Sequence, residues 1–167
     1  CGDVEELYSM CYPDNCNSTF KLADFYGKAI WIEMTASWWP SCYTNLSGAD
    51  NFILDYLDEP NLIIINYLYD VGQPHSCVQW GSPGNDKLPI IINDGVFSAN
   101  QGNDGLDILF FERNNDGVPK YIFINKDLEL HYKQSSYMIE FLVEEKIEQM
   151  LQEIEGNWKW KKMQLFL

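Results

Sequence analysis

Two apolar runs constrain this chain more than anything else in it: AIWIEMTA at 29–36 and NLIIINYLYD at 61–70. The first carries a single charge, Glu33. Both mix β-branched and aromatic residues without strict alternation, the pattern of a strand covered on both faces. Between them Leu46, Ala49, Ile53, Tyr56 and Leu57 recur at spacings of three and four. That stripe predicts a helix from about Ser41, ended by Pro60. A strand, a crossover helix and a second strand make a parallel pair. The C-terminal ends of such strands share one edge of the sheet, where open α/β sheets place their ligand sites.

The remaining elements fit around this unit. LPIIIND (88–94) reads as a third strand. GVPKYIFINKDLELHY (117–132) reads as a β-hairpin around NKD, with Tyr121 and Phe123 alternating before it and Leu128 and Leu130 after. Ser136 is placed to cap a last helix whose apolar face is Val143, Ile147, Met150, Leu151 and Ile154. FKLADFYGK (20–28) reads as a short strand and a turn closing at Gly27. The division is an irregular N-terminal segment at 1–19, one domain at 20–155 and a C-terminal tail at 156–167. The tail, with NWKWKKMQLFL, is expected to pack back on the domain or to continue beyond the end of this sequence, with a membrane surface as the alternative. The class is α/β with a mixed sheet. At 46% hydrophobic over 167 residues, the chain can bury one proper core. Its formal charge of −14 repels phosphate backbones and argues against nucleic-acid binding. No apolar run is long enough to span a bilayer.

Cysteine usage points to a compartment. CYPDNC places turn-forming residues between Cys11 and Cys16, so the preferred reading is a short-loop disulfide and an oxidising environment. His75 and His131 stand alone, which disfavours zinc. The Asp-, Asn- and Gly-rich stretches NDGVFSANQGNDGLD and NNDGVP lack the spacing of a calcium loop and read as solvated turns. No metal and no cofactor is expected. A chain beginning at Cys1 resembles a mature bacterial lipoprotein, which implies a lipid on Cys1 and membrane anchoring in the cell envelope or periplasm.

The first strand runs into TASWWPSC. Strand, motif, helix and a later GVP opening a hairpin resemble the thioredoxin fold, and more closely its extracytoplasmic redoxin or TlpA-like branch. The resemblance covers about 20–155 and implies a central mixed β-sheet flanked by helices. In that family the strand ends in Ala-Thr/Ser-Trp-Cys-x-x-Cys. Ala36, Ser37, Trp38, Pro40, Ser41 and Cys42 fit the frame, and Trp39 stands at the seat of the nucleophilic cysteine. DFYGKAIWIE resembles the family's lead-in, YIFINKDLEL its hairpin, and Pro119 after Val118 its cis-proline beside the active site. The implied activity is thiol–disulfide exchange with protein or peptide partners.

That chemistry uses a thiolate at a helix N-terminus to attack a disulfide and a second thiol to resolve the mixed disulfide. Tryptophan can do neither. A peroxidase frame ending at Cys42 would need Thr or Ser at 39 and Pro at 35, where the chain has Trp39 and Thr35. Cys42, one turn into the helix, is expected to be the more buried position, with a raised pKa and low reactivity. Cys77 follows the second strand as Cys42 follows the first, so it is a candidate partner, with His75 two residues away. The plainer reading of PHSC is an exposed loop histidine and an unrelated cysteine. Trp38 is expected to pack over the motif and Trp39 to be partly exposed. Two functions follow: a thiol–disulfide oxidoreductase relative using Cys42 with Cys77 or alone, or a redox-inactive module binding a peptide at the Trp39–Pro119 surface.

Overall fold

A computed structural model describes residues 8–12, 19–40, 42, 52–56, 58–69, 75–76, 79–80, 90–92 and 118–164. Its strands are β1 (Tyr8–Tyr12), β2 (Thr19–Phe20), β3 (Ala29–Ala36), β4 (Leu62–Tyr69), β5 (Ile90–Ile92), β6 (Lys120–Ile124) and β7 (Leu130–Ser135). They form one sheet in the order β2-β1-β5-β4-β3-β6-β7. The two apolar runs are the parallel pair β3 and β4, in register from Ala29 opposite Leu62 to Ala36 opposite Tyr69. β5 adds parallel to β4, and β6 adds antiparallel to β3. The sheet is therefore mixed, with the β6–β7 hairpin on one side.

Strand alternation divides the core in two. Ile30, Ile32 and Met34 of β3 join Ile65, Tyr67, Ile122, Ile124, Phe20 and Leu22 on one face. Ala29 and Trp31 join Leu62, Tyr121 and Phe123 on the other, against the C-terminal helix (Glu140–Gln164). That helix contributes Val143, Ile147, Met150 and Leu151, the stripe read from its sequence. Ile53 and Tyr56 pack on the same face. The helix expected from Ser41 is seen as helical backbone at Pro40 and Cys42 and again at 52–54; Leu46, Ala49 and Leu57 lie outside the described residues.

Five expectations are corrected. The segment at 1–19 is not irregular throughout, because Tyr8–Tyr12 pairs antiparallel with both β2 and β5. Its short sequence has no apolar run, and backbone pairing to its neighbours supplies what periodicity does not show. The stretch at 20–28 holds a 3-10 helix, Leu22–Phe25, after a strand of only two residues. Asp24 fixes its start by accepting the Lys21 N–H at 2.8 Å. Ser136 does not cap the last helix: its N–H goes to the Pro119 carbonyl at 3.0 Å, and the helix starts only at Glu140. In between, Met138 is drawn into the core. Leu128 is a turn residue with φ 62°, not a strand residue alternating with Leu130. Asn125 holds that turn, its Oδ1 accepting the N–H groups of Asp127 at 3.0 Å and Glu129 at 2.9 Å. The helix also runs to Gln164, across the boundary drawn at 155.

Candidate active site

Three strand ends meet at one edge of the sheet. β3 delivers the chain to Ser37 and the two tryptophans. Met34 lies opposite Lys120, so the register sets Pro119 beside Thr35. Lys120 in turn lies opposite Ser135, which brings the end of β7 to the same edge. The Val118–Pro119 peptide is cis, as the resemblance implies, and both residues are half-buried. The Ser136-to-Pro119 hydrogen bond ties the segment after β7 to this loop.

The motif begins with two turn-like hydrogen bonds. The Trp39 N–H donates to the Ala36 carbonyl at 3.2 Å, and the Cys42 N–H to the Trp39 carbonyl at 3.0 Å. Ser37 is buried; Trp38 and Trp39 are 50% and 45% exposed and meet edge to face, ring centres 5.7 Å apart. Trp39 is thus as exposed as expected, whereas Trp38 leans on Trp39 rather than lying buried over the motif. Cys42 is half-buried and is a free thiol. Burial pushes it above the ordinary thiol value; a backbone hydrogen bond with Ala36 pulls it down, and the charge of Glu33 pushes it up again. The direction of that shift is the one expected for a partly buried thiol.

Beneath the motif lies a polar cluster that the sequence reading missed. Glu33 sits opposite Asn66 on β4 and Tyr121 on β6. The buried Asn66 uses its side-chain oxygen twice, accepting from the Thr35 hydroxyl and the Trp80 indole N–H, each at 3.2 Å. Trp80 is fully buried. The Tyr121 hydroxyl donates to Glu33; burial first, then the Glu33 charge, puts its pKa well above the usual phenol range. The available signal was that Glu33 and Asn66 interrupt otherwise apolar runs.

Other candidates are not brought together here. Cys1, Cys16, Ser41 and Cys77 lie outside the described residues; Cys11 falls within β1. Ser76 and Gln79, on either side of Cys77 in sequence, form a capping box: Ser76 N–H donates to Gln79 Oε1 at 2.8 Å, and Gln79 N–H to Ser76 Oγ at 3.2 Å. His75 is half-buried rather than a fully exposed loop residue, with its ring 6.5 Å from that of Trp80. Among the described residues no cluster of His, Cys, Asp and Glu could hold a metal ion.

No family model matches the chain, and no curated protein matches it. Solved structures do. A secreted disulfide oxidoreductase of Mycobacterium tuberculosis, homologous to E. coli DsbE, superposes with a TM-score of 0.60 at 14% identity, covering 87% of this chain and 96% of its own. A thiol:disulfide interchange protein of the thioredoxin family from Chlorobium tepidum TLS gives 0.61 at 12% identity, covering 80% and 87%. The exposed lipoprotein thioredoxin Etrx1 of Streptococcus pneumoniae gives 0.58 at 19% identity, covering 86% and 97%. The fold of this chain is thioredoxin-like.

Proposed function

We propose that this chain is an extracytoplasmic thioredoxin-like protein of the redoxin/TlpA type, acting on protein or peptide thiols and disulfides through a W-x-x-C motif. The observation that carries the reading is the placement of Cys42. It is a free thiol one turn past an exposed aromatic pair, at the sheet edge that also holds Val118–Pro119. Trp39 removes the fast nucleophile and leaves the slower one. The Cys42 thiolate can attack a substrate disulfide, forming a mixed disulfide and releasing the other sulfur as a thiolate. A second thiol must then attack to free Cys42. Cys77 is our candidate for that thiol, because β4 and β3 are parallel and end at the same edge.

The compartment reading is drawn from the same relatives, one described as secreted and another as an exposed lipoprotein. A Cys11–Cys16 disulfide and a lipid on Cys1 belong to this proposal. A second reading has its own support. Two half-exposed indoles beside a thiol of raised pKa also suit a module that holds a peptide without turning over.

Restoring the missing thiol tests the placement. Trp39→Cys is expected to create dithiol-driven reduction of a protein disulfide such as insulin, at least about tenfold above the parent chain. A folded Trp39→Cys protein with no gain would show that the motif is misplaced. Mass mapping of the non-reduced parent separates the two readings: a Cys42–Cys77 bond that opens with mild reductant supports exchange. A Cys42 that stays unmodified until denaturation supports the binder.

A further inference from the structure

A tryptophan far from the motif in sequence is pinned beside the strand that carries it. Trp80 is fully buried, and its indole N–H donates to the Asn66 side-chain oxygen at 3.2 Å. The same oxygen accepts the hydroxyl of Thr35, near the end of β3, also at 3.2 Å. By strand alternation Asn66 shares its sheet face with Leu62 and Ile64. Ile53, from the helical backbone after the motif, packs on that same face. Trp80 is thus held on the face that the motif helix covers. The backbone before Trp80 is fixed as well. Its N–H donates to the Ser76 carbonyl at 2.8 Å, and Ser76 and Gln79 cap each other. Cys77 stands between Ser76 and Trp80 in sequence. The chain from Cys77 to Trp80 reaches at most about 11 Å even when fully extended. An anchor at Trp80 therefore limits how far Cys77 can stray from the motif edge.

We infer that Trp80 is a positioning residue: its hydrogen bond to Asn66 keeps Cys77 within reach of Cys42 and so raises the effective concentration of one thiol beside the other. The inference rests on the reading of Cys77 as the resolving thiol. With glutathione disulfide as oxidant, the Cys42 thiolate attacks and releases one glutathione thiolate. The Cys77 thiolate then attacks the mixed disulfide and releases the second. Two protein thiols are oxidised, one glutathione disulfide is reduced, and the two protons lost by the protein pass to the leaving thiolates. The anchor bears on the second attack, which is intramolecular, and not on the first.

The experiment equilibrates the full chain in glutathione buffers and measures the Cys42–Cys77 disulfide by peptide mass mapping of alkylated, non-reduced protein. Trp80→Phe keeps an aromatic ring and loses the N–H. It is expected to lower the equilibrium constant for that disulfide at least about fivefold. The rate of Cys42 alkylation in the reduced protein should not change. Asn66→Ala cuts the same bond and should lower the constant as far, and the double variant should fall no further. Gly27→Ala, which strains the turn before β3 at a φ of +92°, should leave the constant at the parent's value. A constant unmoved in Trp80→Phe overturns the inference and leaves Cys77 its resolving role. So does an equal fall in Gly27→Ala, which would mark a general loss of stability, or a double variant that falls by the product of the two. Should Trp80→Phe fail to fold, Asn66→Ala decides by the same criterion. A parent that forms no Cys42–Cys77 disulfide at any glutathione ratio overturns the resolving role of Cys77 and this inference with it.

Discussion

Asn66, inside β4, carries a double polar duty in the core. One oxygen serves two donors, Thr35 from β3 and the buried Trp80 from the segment after β4. Asn66→Ala leaves both without this acceptor, and each unsatisfied buried donor costs roughly 1–3 kcal/mol. We expect a loss of roughly 2–4 kcal/mol in urea unfolding. A loss below about 0.5 kcal/mol would mean that the two hydrogen bonds add little. At this scale the sequence was half legible. Trp38, Trp39, Pro40 and Cys42 are neighbours in the chain, so their motif could be read directly. Glu33, Asn66 and Tyr121 lie on three different strands, and only the register of β3 against β4 and β6 brings them together.

At the scale of elements, the long apolar strands and the C-terminal helix were readable because periodicity and burial agree in them. The short elements were not. β1 and β2 owe their form to pairing with each other, and β1 also to pairing with β5, which no local pattern announces. Gly27 is an exception: the turn predicted there is real. Its φ is +92°, and its N–H reaches the Lys126 carbonyl at 2.7 Å, linking the lead-in of β3 to the β6–β7 turn. No atom would crowd an added Cβ, so Gly27→Ala tests backbone conformation alone. We expect destabilisation of about 1 kcal/mol from the positive φ, measured by urea unfolding. A neutral result would show that the turn adapts at no cost.

At the scale of the whole molecule, the C-terminal helix is bound to the domain partly through protonated phenols. Tyr56 donates to Glu148 at 3.4 Å; burial, then the nearby carboxylates, pushes its pKa up to about 12. An acid whose folded pKa is raised stabilises the fold fully below its unfolded value near 10, and that contribution disappears as pH rises through the folded value. Tyr121 is shifted in the same direction. Stability should therefore fall between about pH 10 and pH 12, and Tyr56→Phe should flatten part of that slope in urea melts across the range. An unchanged slope would remove Tyr56 from the account.

The two ends of the sheet are unequal. On one side it stops at β2, whose Thr19–Phe20 offers two residues of backbone; on the other it stops at the six residues of β7, Leu130–Ser135. Among the described residues, the β7 side is the longer edge for a strand from another molecule, and it carries the exposed Leu130 and Lys133. An exposed strand edge of this length is kept from pairing with other chains by charge on it, and Lys133 places a charge there, so removing that charge removes a guard against edge-to-edge association.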